Sequence, residues 1–290
     1  MKYILLIAAL AVLTGCTDQR ITMLDLSGEW TCSEAGKGSW KRAEVPGAVH
    51  SDLRNNDLLP DPFYRFNEDS VKWVEEKDWE YRRSFTVPRG MAESGHVDLI
   101  FEGLDTYADV YLNDSLILEA DNMFVAWEIP VTSLIKEGEN QLRIVFHSAV
   151  RRGREKAAAL PYRLYMENEN APDSLRTRAY SRKAQFHFGW DWGPRLVTCG
   201  IWRPVYLRSW QNARLEEAYF KPLSVDADRA SYQVEIDVLA GKAQDAQLEV
   251  SVPQAGISFG KPVLLEPGKN RFDIPVEIIQ PRLWWPRGYG

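Results

Sequence analysis

Between residues 26 and 210 apolar and polar positions alternate in short runs separated by turn residues, the period of half-buried antiparallel strands. Residues 81–87 (YRRSFTV), 96–102 (HVDLIFE) and 141–147 (QLRIVFH) carry the pattern most clearly. Residues 109–118 place Asn113-Asp114 between two apolar runs, which predicts a hairpin. Two stretches break the alternation: 48–59 (AVHSDLRNNDLL) and 148–160 (SAVRRGREKAAAL) have the spacing of short helices or ordered loops. Residues 160–188 show no strand signal but many Arg, Tyr, Asn and Pro residues, and so long a loop in a compact body points to function. Beyond Trp210 the segments 231–239, 247–252, 263–265 and 273–279 alternate again, with a turn at Ala240-Gly241-Lys242. They read as a second, smaller β-sandwich. An immunoglobulin-like sandwich needs about seven strands in about 100 residues, so this one is expected to be incomplete.

The chain has 290 residues, more than the usual about 100–200 of one domain, and two domains are expected. Its first residues follow the plan of an export signal: Lys2, an apolar run from Tyr3 to Leu13, then small residues leading into Cys16. Leu13, Thr14, Gly15 and Cys16 resemble the lipobox of bacterial lipoproteins, which implies a signal peptide over residues 1–15 and lipidation of Cys16. An exported lipoprotein in the periplasm or on the outer-membrane surface, held to the membrane through that lipid, is the expectation; an ordinary secretory peptide that happens to contain a cysteine is the alternative. The formal net charge of -6 excludes a strongly basic nucleic-acid binder, so no nucleic-acid partner is expected. Cys32 and Cys199 stand far apart with no CxxC or His-Cys cluster around them, so neither a metal nor a cofactor is expected. Aromatic residues make up 12% of the chain, with 11 tryptophans. Flat rings stack on the C–H faces of pyranose sugars, although a β-rich core accounts for most tryptophans taken singly.

Self-contained catalytic motifs are missing: there is no GxSxG elbow, HExxH, phosphate loop or GxGxxG. His50, His96, His147 and His187 are isolated, and nothing singles out two of the 41 acidic residues as a hydrolytic pair. The chemistry concentrates in residues 182–202 (RKAQFHFGWDWGPRLVTCGIW), where Phe186, Phe188, Trp190 and Trp192 surround the single acid Asp191. Strand alternation places these four aromatics on one side until Gly193-Pro194 ends the strand, with Asp191 opposite unless the chain already turns at Gly189. A carboxylate between indoles suits a sugar, the rings stacking on the pyranose and the acid accepting two hydroxyl hydrogens. Trp190 and Trp192 filling a core while Asp191 caps the turn suits the same residues equally well.

On four blocks in order, the chain resembles β-mannosidases of glycoside hydrolase family 2. These are LSGEW at 26–30, VPGAVH at 45–50 with DPFYRFNE at 61–68, FGWDWGP at 188–194 and LWWPRGYG at 283–290. The resemblance implies a jelly-roll sugar-binding β-sandwich over residues 16–209 and a truncated immunoglobulin-like β-sandwich over 210–290. It also implies that the catalytic (β/α)₈ barrel, with its acid/base and nucleophile glutamates, is absent from this chain, because a barrel takes about 250 residues. By the same resemblance Trp190 and Asp191 reach a terminal mannose of a β-mannoside or manno-oligosaccharide. Trp192 is a weaker substrate-binding candidate that, with Arg195, holds the loop, Asn67 is a further sugar contact, and Arg182 and His187 are weaker candidates still. A non-catalytic glycan-binding lipoprotein and another family 2 activity (β-galactosidase, β-glucuronidase or exo-glucosaminidase) remain the competing readings.

Overall fold

The computed structural model describes residues 21–289, apart from 165, 167, 168, 170 and 173–175. Residues 1–20, with the signal segment and Cys16, lie outside it.

Residues 21–210 build two antiparallel sheets. One has six strands in the order Lys41–Val45, Gly28–Glu34, Trp79–Val87, Gly138–His147, Tyr107–Leu112 and Ser115–Ala120; the other has four, Thr22–Asp25, Val205–Trp210, His96–Phe101 and Trp127–Pro130. Alternate residues of both sheets meet in one apolar core, among them Trp30, Tyr81, Leu142 and Phe146 from the first and Leu99, Phe101 and Leu207 from the second. Opposed sheets sharing one core are a β-sandwich. Polar alternates face outward from the strands, which is the pattern that made the segments legible. The Asn113-Asp114 hairpin forms as expected: both residues take positive φ, 48° and 66°, the mirror-image turn that matches the twist of paired strands. Asn113 is well suited to that position because its side-chain amide also donates to Leu134 O at 3.0 Å and Asn140 Oδ1 at 2.8 Å.

Helices Val49–Asn55 and Ala149–Ala159 occupy the two stretches that broke the alternation. The second starts on Ser148, whose hydroxyl accepts from Arg151 N at 3.1 Å. Cys32 and Cys199 are free thiols, and burial pushes Cys32 up to about 12.

Residues beyond Trp210 form a second core. A three-stranded sheet of Ala213–Val225, Arg229–Ala240 and Gly268–Ile279 packs with a hairpin of Gln244–Val252 and Ile257–Leu265 around Val234, Ile236, Val250, Leu265 and Ile274. Strand Ala213–Val225 is the element that alternation does not reveal. It lies at the sheet edge, carries Pro222, and its register shifts between Leu215 and Glu217 and again between Pro222 and Ser224, which breaks the period of two.

Candidate functional site

Residues 185–195 do not form the single strand that alternation suggested. Gln185–His187 is a 3-10 turn, Phe188–Trp190 pairs antiparallel with Gly193–Arg195, and Asp191-Trp192 is the two-residue turn between them. Gly193-Pro194 therefore opens the returning strand and does not end the first. Gly189, at a φ of 87°, takes the left-handed twist that brings the chain out of its 3-10 turn. Neither Asp191 nor Trp192 adopts a positive φ, so the turn lacks the mirror form, and strands flanking such a turn splay after a few residues.

The hairpin separates the aromatics by depth. Phe188 is fully buried with Tyr107, Val150 and Val197, whereas Phe186 is exposed. Trp190 is half-buried, its ring 5.2 Å from that of Trp192 and 5.1 Å from the Arg178 guanidinium. Trp192 is 79% exposed, which rules out a core-filling role for it. Asp191 is exposed at the tip, and its carboxylate makes no hydrogen bond or ion pair with the described residues, so it does not cap the turn. An unpartnered acid beside two tilted indoles is a surface able to accept hydroxyl hydrogens and to stack on a ring.

The base of the hairpin is held by Arg195, to which the resemblance gave a loop-holding role, and by carboxylates that the sequence did not single out. Arg195 is 3% exposed; its Nε donates to both Glu75 oxygens at 3.0 and 3.1 Å, and one terminal nitrogen donates to Glu169 Oε1 at 2.9 Å. Its backbone N–H donates to Glu68 Oε1 at 2.9 Å, so helix Asn67–Val71 is tied to the same residue. Glu169 accepts in addition from the backbone N–H groups of Thr177 and Arg178, which fastens the long loop onto the hairpin and brings Arg178 against Trp190. Burial raises the Glu75 carboxyl, and the adjacent Arg195 opposes that rise. These two carboxylates share one guanidinium inside the protein, which suits them to holding the loop and not to exchanging protons with a substrate. Asn67 donates its side-chain amide to Asp61 O at 2.8 Å and so closes the 61–67 turn beside the hairpin. Arg182 joins the loop to the sheet side through a bridge with Asn122.

A second buried pair lies below. Lys183, fully buried, donates to Asp105 Oδ1 and Oδ2 at 2.5 and 2.6 Å and to Thr198 O at 2.6 Å. Beside it a cavity of about 280 Å³ is lined by His50, His187, Leu59, Phe63, Leu196 and Thr198. Burial, with the Lys183 cation adding to it, lowers both histidines to about 4. The folded protein therefore refuses protons that the unfolded chain accepts. For a histidine depressed on folding, stability is present above the unfolded value near 6.5 and is lost as pH falls toward about 4. Urea unfolding at a series of pH values should show this acid-side loss. The His50→Gln, His187→Gln double variant should show a flatter profile across the same window, and an unchanged slope would refute the assignment. Among the described residues no group of three His, Cys, Asp or Glu side chains is placed to hold a metal.

Residues 30–203, more than half of the chain, match the family described as Glycosyl hydrolase 2 galactose-binding domain-like. The chain belongs to that family. Similarity extends past the matched residues of this galactose-binding domain-like member. A Mus musculus protein named Beta-mannosidase is 34% identical over 275 residues, covering 91% of this chain and 31% of its own length. Beta-mannosidase B of Aspergillus terreus is 39% identical over 250 residues, covering 86% of this chain and 29% of its own. The crystal structure of a β-D-mannosidase from Dictyoglomus thermophilum superposes with a TM-score of 0.86 at 39% identity, over 93% of this chain and 33% of that one. The chain thus spans about a third of the length of these relatives.

Proposed function

We propose that this chain is the sugar-gripping, amino-terminal part of an exo-acting retaining β-mannosidase that releases terminal β-D-mannose from β-mannosides or manno-oligosaccharides. The observation that carries the reading is the hairpin tip: Asp191 exposed and unpartnered between Trp190 and Trp192, on a base locked by Arg195. The names of the relatives supply the sugar. In this reading Asp191 accepts hydrogen bonds from hydroxyls that do not react, Trp190 and Trp192 stack on the ring, and Asn67 supports the rim. Binding energy gained away from the scissile bond then helps to hold the distorted ring leading to an oxocarbenium-like transition state. The carboxylates that cut belong to the part of the relatives' length that this chain does not span. The two β-sandwiches act as separate domains meeting near residues 209–210.

The lipobox-like segment supports acylation of Cys16 and an exported, membrane-held protein in the periplasm or on the outer-membrane surface. Lipid labelling abolished by Cys16→Ala would be the expected result for that arm. The 290-residue chain by itself should show no turnover of an aryl β-mannoside, while a protein extended to the relatives' length should. Turnover by the short chain, abolished by an acidic substitution within it, would overturn the division of labour.

A further inference from the structure

The outward face of the six-stranded sheet carries a groove of about 650 Å³, within the about 300–1,000 Å³ of small-ligand sites, and no residue of the hairpin lines it. Strand register places its floor. Arg42, Thr31 and Arg82 lie side by side on the strands Lys41–Val45, Gly28–Glu34 and Trp79–Val87, and Ser84 faces Gln141 on the next strand pair. Trp40, half-buried, forms a wall, with the Arg82 guanidinium 4.3 Å from its ring centroid.

The two guanidinium groups on the outward face are already paired, whereas Lys41 and Arg83, which also line the groove, alternate with Arg42 and Arg82 along their strands, and Arg83 donates to Leu26 O and Ser27 O. Arg42 meets Glu29 at 2.7 Å, and Arg82 meets Glu80 at 2.6 Å. The uncharged groups of the groove are unpaired. The Trp40 indole N–H, the Ser84 hydroxyl and the Gln141 side-chain amide make no hydrogen bonds with the described residues. One ring, one hydroxyl and one planar amide, framed by neutralised guanidinium–carboxylate pairs, match a polyhydroxyl ligand without net charge. A carboxylated or phosphorylated ligand would find Arg42 and Arg82, the cations of the outward face, already taken by Glu29 and Glu80, and an apolar one would strip water from those polar groups without replacing their hydrogen bonds.

We propose that this groove is a second saccharide-binding site, for an internal stretch of a neutral oligosaccharide, separate from the hairpin that takes the chain end. The groove stands on its own geometry, and only the choice of a mannose-based probe rests on the function proposed above. The site would keep the polymer close while its end is presented elsewhere, which raises effective concentration without any new contact at the hairpin.

Calorimetric titration of the 290-residue chain with β-1,4-mannotetraose, at up to about 10 mM, tests it. Binding should be weakened at least about fivefold by Trp40→Ala and by the Ser84→Ala, Gln141→Ala double variant. The double variant removes only outward side chains without partners, so its fold is preserved even if Trp40→Ala destabilises the sheet. No heat with the tetraose, tighter binding of tetragalacturonate, or binding that Asp191→Ala abolishes and the double variant leaves intact would each overturn the groove. The last of these would leave the hairpin reading standing. Conversely, groove binding that survives while Asp191→Ala leaves mannoside hydrolysis by the longer protein untouched would sink the hairpin reading alone.

Discussion

Arg195→Ala should lower the unfolding free energy of this chain by about 3–5 kcal/mol, the cost of breaking a buried ionic cluster by removing one member. The magnitude follows from what would be left behind. Glu75 and Glu169 are 9% and 0% exposed at the side chain, and both lose their shared counter-ion together. An ionised carboxylate without its counter-ion in such a place is unfavourable, so the variant would take up protons, and Glu75, which burial already raises against the opposing Arg195, would titrate higher still. For a carboxyl whose folded value is raised above the unfolded one, the folded state is the one that gains protons as pH falls. The difference between wild type and variant should therefore shrink from pH about 8 to about 5, because acid relieves the unpaired charge. Urea unfolding at the two pH values measures this directly. A loss below about 1 kcal/mol, or a gap that widens in acid, would mean that the cluster is not what holds the hairpin base. Glu169→Gln should share part of the loss, and the coupling between the two changes in a double-mutant cycle would report the interaction itself.

Asp191→Ala should behave in the opposite way. Its carboxylate is exposed and unpartnered, so the unfolding midpoint should stay within about 0.5 kcal/mol of wild type. In the protein extended to the length of its relatives, kcat/KM for an aryl β-mannoside should fall by at least about 10², or about 2.7 kcal/mol. A carboxylate that accepts two hydroxyl hydrogens supplies charge-assisted bonds of this order when the sugar covers it, and none when the site is empty. Asp191→Asn keeps an acceptor but loses the charge and one acceptor position, so an intermediate loss is expected. Hydrolysis by the alanine variant within about threefold of wild type would remove Asp191 from the sugar site.

The two variants separate the functions that a single eleven-residue stretch combines. Arg195 is built to be inaccessible and Asp191 to be reached, although they are four residues apart. The two-residue turn achieves this. It projects Asp191 and Trp192 outward, and three residues of pairing bring Arg195 back opposite the buried Phe188.

Alternation by itself determined the β architecture, because a strand with one face in a core must repeat with period two whatever its neighbours are. It located Trp79–Val87, His96–Phe101, Gly138–His147 and the hairpin at Asn113-Asp114, and it marked as helix or ordered loop the two stretches where the period failed. It also located the segment that carries the candidate site, since two tryptophans and an acid within a few positions of Gly and Pro are visible as composition. Strand Ala213–Val225 escaped because bulges and an edge proline remove the period. Only the tertiary structure decided which charges are buried. Glu75, Glu169 and Arg195 come from three distant parts of the chain, as do Asp105 and Lys183, and each taken singly looks like any surface residue. Burial and pairing are properties of side chains brought together across the fold, not of spacing along it. The same reason hid the outward groove, whose floor is assembled by strand register from residues between 31 and 141, and the exposure of Asp191, which does not cap its turn.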